Sequence, residues 1–574
     1  MSSKNGKPKG QSFDLSQAEL KQLLKKVPSG IHSYIDHLER QVKNLADIGL
    51  SLSKEKDMNV LLENILLEAK RITHADGGTL YMKTDDDRLR FEIMMTDSLN
   101  FHMGGTSGQD IPFYPVKLYD DDGKPNKNMI SAYVGLTGET VNIPDAYKAD
   151  GFDFSGTKAF DKKTGYRSQS FLTVPLKNHE DEIIGVIQLL NAKDRKTGES
   201  IPFSTEVQDI VEALSSQAAV AITNKNLIRD LEILFESFIK LIASAIDAKS
   251  TYTGGHCSRV PVITMMLADA VNESDNEHYK DIHFTEKQMY ELKIAAWLHD
   301  CGKVVTPEYV VNKATKLETI FDRVHMVANR FEVLKRDQEI KCLKQQLKVE
   351  KNTSLSELEV KNALKEIRKK YNEKIKQLDN DLDFVKTTNV GGEFMSGDKK
   401  DRVHKIAQYR WNDNGEIKNF LSDDEVKNLC IAKGTLTAEE RKIINDHIVY
   451  TIDMLNQLPY PNHLKNIPEF AGGHHEKLDG TGYPKGLKEE EMSTQAKIMA
   501  IADIYEALTA EDRPYKDGKK LSQAMRIMGY MKNDYHIDKD LFEIFIKSGV
   551  YKQYAEKYLS DDQLDDIDEA SVLA

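Results

Sequence analysis

His474-His475-Glu476-Lys477-Leu478-Asp479-Gly480-Thr481-Gly482-Tyr483-Pro484 sets two adjacent imidazoles and two carboxylates beside a glycine-rich turn. Upstream, Leu298-His299-Asp300-Cys301-Gly302-Lys303 pairs another imidazole with a carboxylate and adds a lysine three residues on. Neutral imidazole combined with carboxylate suits Fe, Mn, Zn or Ni, whereas an all-oxygen set suits Mg or Ca. The two segments read as a metal centre built for phosphoester hydrolysis. An aspartate can bridge two metals through its two oxygens, and separate histidines then fill the remaining positions. Two metals about 3.5–4 Å apart clamp the attacking and leaving oxygens of an in-line displacement and bring bound water toward a pKa of about 7. Asp300 is the candidate bridge, and water between the metals the candidate nucleophile.

Four pieces follow one another in order: His299-Asp300, then His447 beyond Thr435-Leu436-Thr437-Ala438-Glu439-Glu440-Arg441, then His474-His475, then Asp503 in Ile501-Ala502-Asp503. Gly255-His256-Cys257-Ser258-Arg259-Val260 precedes them, and Ala507-Leu508-Thr509 and Arg513-Pro514-Tyr515-Lys516 follow. This succession resembles the HD-GYP phosphodiesterases, a branch of the HD superfamily that linearises cyclic di-GMP. Apart from one insertion, the resemblance covers roughly residues 230 to 530. It implies an all-α catalytic domain with metal ligation by His299, Asp300, His447, His474, His475 and Asp503. It also implies phosphate binding by Lys303, Arg513 and Lys516: a lysine neutralises charge on phosphorus, and an arginine offers a planar fork. Gly482, Tyr483 and Pro484 would lie beside the site and contact both substrate and partner proteins. Two divalent ions are implied, iron first, manganese next, and other first-row metals after them.

One departure bears on stoichiometry. Family members that bind a third metal carry a glutamate where this chain has Tyr252, so two metals are expected, with His256 an outer or weak ligand. Cys301 replaces an aliphatic residue and is read either as an oxidation-sensitive thiol or as a small buried apolar side chain.

At 574 residues the chain is long enough for two or three domains. No apolar run approaches the ~18–20 residues needed to cross a bilayer, and Met1 to Gln11 lacks an apolar signal-like core. A cytoplasmic protein is expected. The four cysteines are scattered without metal-finger spacing, which points to reduced thiols. A net charge of −13 argues against binding a nucleic-acid polymer. A small anionic dinucleotide can still be held by a few focused cations.

Residues 45–226 form a separate unit. Gly78-Thr79-Leu80-Tyr81-Met82, Ser170-Phe171-Leu172-Thr173-Val174-Pro175-Leu176 and Ile183-Ile184-Gly185-Val186-Ile187-Gln188-Leu189 are strand-like runs between polar turns. Helical patterns flank them, so an antiparallel sheet covered by helices is expected. With Val141-Asn142-Ile143-Pro144-Asp145-Ala146-Tyr147 and the run from Phe160-Asp161 to Ser168, this unit resembles the GAF domains that accompany cyclic-nucleotide phosphodiesterases. The resemblance offers Asn142, Lys158, Phe160 and Asp161 as residues for a small ligand. The competing reading is a structural or dimerising domain whose motif residues hold its own loops.

Leu227, Leu231, Leu234, Phe238, Leu241 and Ala245 alternate spacings of four and three, the period of a coiled-coil seam. A signalling helix over 227–250, pairing with its copy in a homodimer, is one reading; core of the catalytic bundle from Phe238 onward is the other. The catalytic domain occupies 251–313 and 433–540. Between them, residues 314–432 show coiled-coil spacing at Val324, Val327, Phe331 and Leu334 and again from Leu364 to Val385. This predicts an antiparallel helical hairpin turning near Lys351-Asn352-Thr353-Ser354, entered from a strand-like Val310-Val311-Asn312-Lys313. It suits partner binding or dimer contacts, or is a passive insertion. Residues 541–574 are expected to form a helix and a flexible acidic tail, and residues 1–44 an N-terminal tail and helix.

The expected protein is a GAF-regulated, metal-dependent phosphodiesterase that converts cyclic di-GMP to the linear dinucleotide and onward to GMP. The rivals are a phosphodiesterase for cyclic GMP-AMP or a cyclic mononucleotide, and a non-catalytic sensor of cyclic dinucleotides.

Overall fold

The computed structural model describes residues 46–249, 255–511 and 518–574, together with residues 39, 43 and 44; most of segment 1–44 lies outside them. The chain divides into two compact units after Ile233.

In the first unit, helix α1 (Met58–Thr73) begins where the Asp57 carboxylate accepts from the amides of Asn59 and Val60, satisfying donors that a helix start leaves open. The strands are β1 (Ala75–Lys83), β2 (Arg88–Thr96), β3 (Phe101–Gly104), β4 (Val116–Lys117), β5 (Val141–Ile143), β6 (Phe171–Lys177), β7 (Ile183–Lys193) and β8 (Ser200–Ile201). They form one antiparallel sheet in the order β3-β2-β1-β7-β6-β5, with β4 beside β2 and β8 beside β7. Alternation along the strands separates two cores. Leu80 and Ile187 point to one face, where Leu61, Ile65 and Leu66 of α1 and Val211, Leu214 and Ile222 cover them. Tyr81 and Val186 point to the other, against Ile130, Ala132 and Val134 of α2 (Ile130–Thr137). Helix α3 (Ser155–Thr164) follows in the segment between β5 and β6.

Helix α4 runs unbroken from Thr205 to Lys249. Leu227, Leu231, Leu234, Phe238 and Leu241 are each half exposed or more, while Ile239, Ala243 and Ile246 are buried. The heptad stripe therefore stands on the open face of the helix, and a different set of residues supplies its core contacts.

The second unit is helical. Its principal helices are α5 (His256–Asn272), α6 (Glu286–Leu298), α7 (Val324–Glu350), α8 (Glu357–Asn389), α9 (Gly397–Ala407), α10 (Asp423–Leu429), α11 (Ala438–Asn445), α12 (His447–Asn456), α13 (Ile467–Gly473), α14 (Thr494–Thr509), α15 (Leu521–Asn533), α16 (Lys539–Lys547) and α17 (Val550–Tyr558). Helix α14 is central, with Ile498, Met499, Ile501, Ala502 and Tyr505 all inside the core formed with α5, α6 and α16. A helix apolar round most of its circumference has nowhere else to sit. Its few polar residues, Asp503 and Glu506 among them, are thereby carried into the interior. Among the described residues no helix is long and apolar enough to cross a membrane.

Residues 314–432 build a subdomain with its own core. Helices α7 and α8 form the antiparallel pair, reversing between Lys351 and Ser356, where Ser356 and Glu359 form a reciprocal cap. Phe331 of α7 lies edge-on to Phe420, ring centroids 4.6 Å apart, with Leu378, Leu382, Val385 and Val403 around them. The insertion is not purely helical. Strands β9 (Arg410–Asp413) and β10 (Glu416–Asn419) turn at Asn414-Gly415, both at positive φ, the combination a tight hairpin requires.

Two local expectations are corrected. Val310-Val311 lies in a single helical turn, Glu308–Val311, rather than a strand. The acidic C-terminal stretch packs instead of trailing. Gln563 is buried and donates to the carbonyls of Thr509 (2.7 Å) and Lys519 (3.0 Å). Asp565 accepts from the amide and hydroxyl of Ser522, both at 2.7 Å. These bonds answer backbone groups that would otherwise be unpaired, and composition alone does not reveal them.

Phe331→Ala should destabilise the insertion by about 3–5 kcal/mol, read as a lower urea midpoint for its transition. An unchanged midpoint would show that the insertion core does not depend on the Phe331–Phe420 contact.

Candidate metal centre

Three helix ends meet in the second unit. His299 follows α6, His474 follows α13, and His447 stands where α11 gives way to α12. A helix leaves its last carbonyls without amide partners, and each imidazole takes one of them. His299 Nδ1 donates to Ala296 O at 2.8 Å, His474 Nδ1 to Ala471 O at 2.7 Å, and His447 Nδ1 to Ile444 O. With the proton held at Nδ1, each Nε2 lone pair faces inward, the tautomer a metal ligand needs.

Asp300 lies between the imidazoles. One carboxylate oxygen is 3.2 Å from His447 Nε2. The other is 3.2 Å from His256 Nε2 and 3.3 Å from His299 Nε2, and also takes the Lys303 ammonium. Asp503 closes the far side, 3.2 Å from His256 Nε2 and 3.8 Å from His299 Nε2. Ligand atoms of His447, His474 and His475 lie within 4.8 Å of one another, as do those of His256, His299 and Asp300. Among the described residues, Asp300 Oδ1, His447 Nε2 and His474 Nε2 are buried and have no hydrogen-bond partner. Unsatisfied buried polar atoms are costly, and three of them aimed into one space fit divalent cations accepting nitrogen and oxygen.

The electrostatics agree. Burial raises the Asp503 carboxyl, but His256, His474 and His475 outweigh it and hold it far below the carboxylate range. Burial likewise opposes ionisation of Asp300, and Lys303 and His299 drive it well below its ordinary value. Burial, reinforced by His299, lowers the His474 imidazole to about 4, so it is neutral at pH 7. Burial opposes the Lys303 charge too, yet Asp300 raises its pKa.

Every proposed ligand is thus in one cluster, and His256 reaches the same space. Its Nδ1 is bonded by Glu506, whose carboxylate also takes Arg259 Nε at 2.7 Å. Glu506 was not singled out from the sequence. Its signal is the i,i+3 spacing from Asp503, which puts both carboxylates on one face of α14. Cys301 is buried and its thiol is pushed up to about 11 by burial, which favours the small apolar reading over a reactive thiolate. Arg513, Lys516 and Tyr252 lie outside the described residues.

Two glycines allow the approach. A Cβ on Gly302 would stand 1.9 Å from His447 O, so only glycine lets the turn Cys301–Val305 touch α12. A Cβ on Gly482 would meet Lys477 N at 2.2 Å. Buried Glu476 accepts from the amides of Lys485 (2.7 Å) and Leu487 (3.0 Å), pinning the loop that carries Tyr483. The Tyr483 ring lies 4.9 Å from that of His475. Pro484 follows Tyr483 in this loop through a cis peptide bond.

In the first unit a cavity of about 270 Å³ is lined by Tyr81, Phe91, Phe113, Phe160, Tyr166 and Phe171, with Gln188 as a polar group. Of the four residues offered for a ligand, Phe160 alone lines it. Asn142 donates to Phe203 O and Gln208, and Asp161 accepts from Tyr147 and from both the amide and hydroxyl of Ser168. Lys158 lies over the Tyr147 ring at 5.4 Å.

The chain carries a GAF domain, matched by that family's model over residues 57–222, and an HD domain, matched over residues 423–541. The HD match includes His447, His474, His475 and Asp503; His256, His299 and Asp300 precede the insertion. Among similar proteins, a 3'3'-cGAMP-specific phosphodiesterase of Vibrio cholerae is 40% identical over 104 residues, 18% of this chain and 22% of that protein. A cyclic di-GMP phosphodiesterase of Pseudomonas aeruginosa is 44% identical over 79 residues, 14% and 18% of the two chains. Another cyclic di-GMP phosphodiesterase, from Thermotoga maritima, is 34% identical over 119 residues, 21% and 32%. The aligned stretches span from under a fifth to about a third of those relatives.

Asp300→Asn should lose bound metal, measured by elemental analysis after iron or manganese loading, while helical circular dichroism is kept. Full metal retention would remove Asp300 from the ligand set.

Proposed function

We propose that the chain is a metal-dependent cyclic-dinucleotide phosphodiesterase of the HD-GYP type that hydrolyses cyclic di-GMP to the linear dinucleotide and onward to GMP. The observation that carries the reading is the set of unsatisfied buried donor atoms of Asp300, His447 and His474 converging beside Lys303. The relatives' substrates, cyclic di-GMP and 3'3'-cGAMP, give it a chemical class. When bound, two divalent ions, iron first and manganese next, would supply an activated water and neutralise phosphate charge.

The protein's own residues do the rest. His299, His447 and His474 present donor nitrogens fixed in direction by their Nδ1 bonds, and Asp300 and Asp503 balance charge in the interior. Lys303 sits at the edge of the centre, where its ammonium can meet the extra negative charge of pentacoordinate phosphorus, a contribution made chiefly in the transition state. Tyr483 gives a flat wall for a base, and Arg513 and Lys516 are proposed to hold the second phosphate. The 3'3'-cGAMP-specific relative supports a second reading in which cyclic GMP-AMP is the preferred substrate. Base choice depends on groups around the loop of Gly482, Tyr483 and Pro484, a surface that also suits partner proteins.

The half-exposed leucine and phenylalanine stripe of α4 supports a homodimer. The aromatic cavity of the GAF domain has no Lys, Arg or His among its described lining residues. A neutral, flat ligand therefore suits it better than a cyclic nucleotide, whose phosphate would lie without a cation. Cyclic GMP and cyclic AMP should show no heat of binding in calorimetry; saturable micromolar binding of either would overturn that choice.

Purified protein loaded anaerobically with Fe(II) or Mn(II) should convert cyclic di-GMP to linear dinucleotide or GMP, with cyclic GMP-AMP tested alongside. The His299→Ala, Asp300→Ala double variant should be inactive yet folded. Turnover retained by that variant would sink the assignment, and turnover of cyclic GMP-AMP alone would select the second reading.

A further inference from the structure

The last turn of α4 grips the metal centre from two sides. Lys249 Nζ donates to the carbonyls of Lys303 (3.3 Å), Val304 and Thr306 (2.8 Å). An ammonium has three donors, and here each has a carbonyl from the single turn that carries Lys303. Two residues earlier, the Asp247 carboxylate accepts from the amides of Gly255 (3.1 Å) and Cys257 (3.4 Å), which flank His256 at the start of α5. Charge-assisted bonds of this kind are about twice as strong as neutral ones and are geometrically restrictive.

The grip has a firm base. Ile239, Ala243 and Ile246 bury the same end of α4 in the helical core, so the turn bearing Asp247 and Lys249 is located by packing. The start of the turn it holds is anchored separately, where Gly302 N donates to Thr451 Oγ1 of α12 at 2.9 Å and Cys301 is buried in the helical core. Release of Lys249 would leave the carbonyl end of that turn free to move, with the Lys303 side chain on it.

We infer that Lys249 and Asp247 are positioning residues: the end of α4 sets Lys303 and His256 against the centre. This rests on the phosphodiesterase reading for its kinetic consequence. Lys303 acts on charge that develops in the transition state, so its misplacement lowers kcat and leaves KM and bound metal unchanged. A displacement near 1 Å at a reacting centre costs up to about a hundredfold.

The test uses the full chain. Lys249→Met should lower kcat at least about tenfold with metal content and KM unchanged, and Lys249→Arg, which keeps several donors, should recover most of it. In the Lys303→Ala background, Lys249→Met should add no further loss, because it acts through Lys303. An equal loss in both backgrounds, or none in either, overturns the inference. Hydrogen exchange gives an arm independent of activity: amides 301–306 should exchange faster in Lys249→Met. If wild-type protein turns over no cyclic dinucleotide, the functional reading fails, and exchange still decides whether Lys249 holds the turn; unchanged exchange overturns that too.

Discussion

The unpaired carbonyls at helix ends are the constraint on which the centre depends. A helix cannot bond its own final carbonyls, and in this chain Ala296, Ile444 and Ala471 solve the problem with an imidazole three residues on. One bond thereby does two things. It completes the helix terminus, and it fixes the tautomer and direction of the ring. The inward Nε2 atoms are consequences of where α6, α11 and α13 stop, and α6 and α13 are held in the same core as α14.

That packing also explains why Asp300 and Asp503 remain ionised in a buried site. Each is surrounded by imidazole, and Asp300 additionally by the Lys303 ammonium. Breaking such a cluster by removing one partner costs more than the pair contributes when intact. The residues are thus mutually dependent, and single substitutions there disturb both structure and chemistry.

Much of this was legible in the sequence. The strands of the first unit alternate cleanly, and the candidate ligand pairs His299-Asp300 and His474-His475 advertise their chemistry through adjacency. What was illegible depends on convergence from distant segments. His256 reaches the same space as the other histidines because Glu506, on another helix, turns its ring. Asn142 and Asp161 looked like ligand residues, but short polar side chains also tie down loops, and these two are engaged with Phe203, Gln208, Tyr147 and Ser168. Val310-Val311 is β-branched and suggested a strand, yet four residues between two turns close a helical loop more readily than they find a sheet. The Asn414-Gly415 pair was a readable hairpin signal, lying beyond the heptad pattern that ends at Val385 and dominates the reading of the insertion.

The insertion leaves and re-enters the helical fold of the second unit through a narrow neck. Lys313 Nζ bonds Glu440 and Asn428, each at 2.8 Å, and Thr435 Oγ1 reaches back to Lys313 O at 3.0 Å. The outgoing and returning strands of chain are stapled together where they cross the domain surface. Loop-closure entropy grows only slowly with length, and here the closure is secured by the staple, whatever lies beyond it. The neck therefore works as a socket. A change in the length of the insertion beyond the neck would then cost little entropy, as long as Lys313 and Glu440 hold the two ends of the segment together.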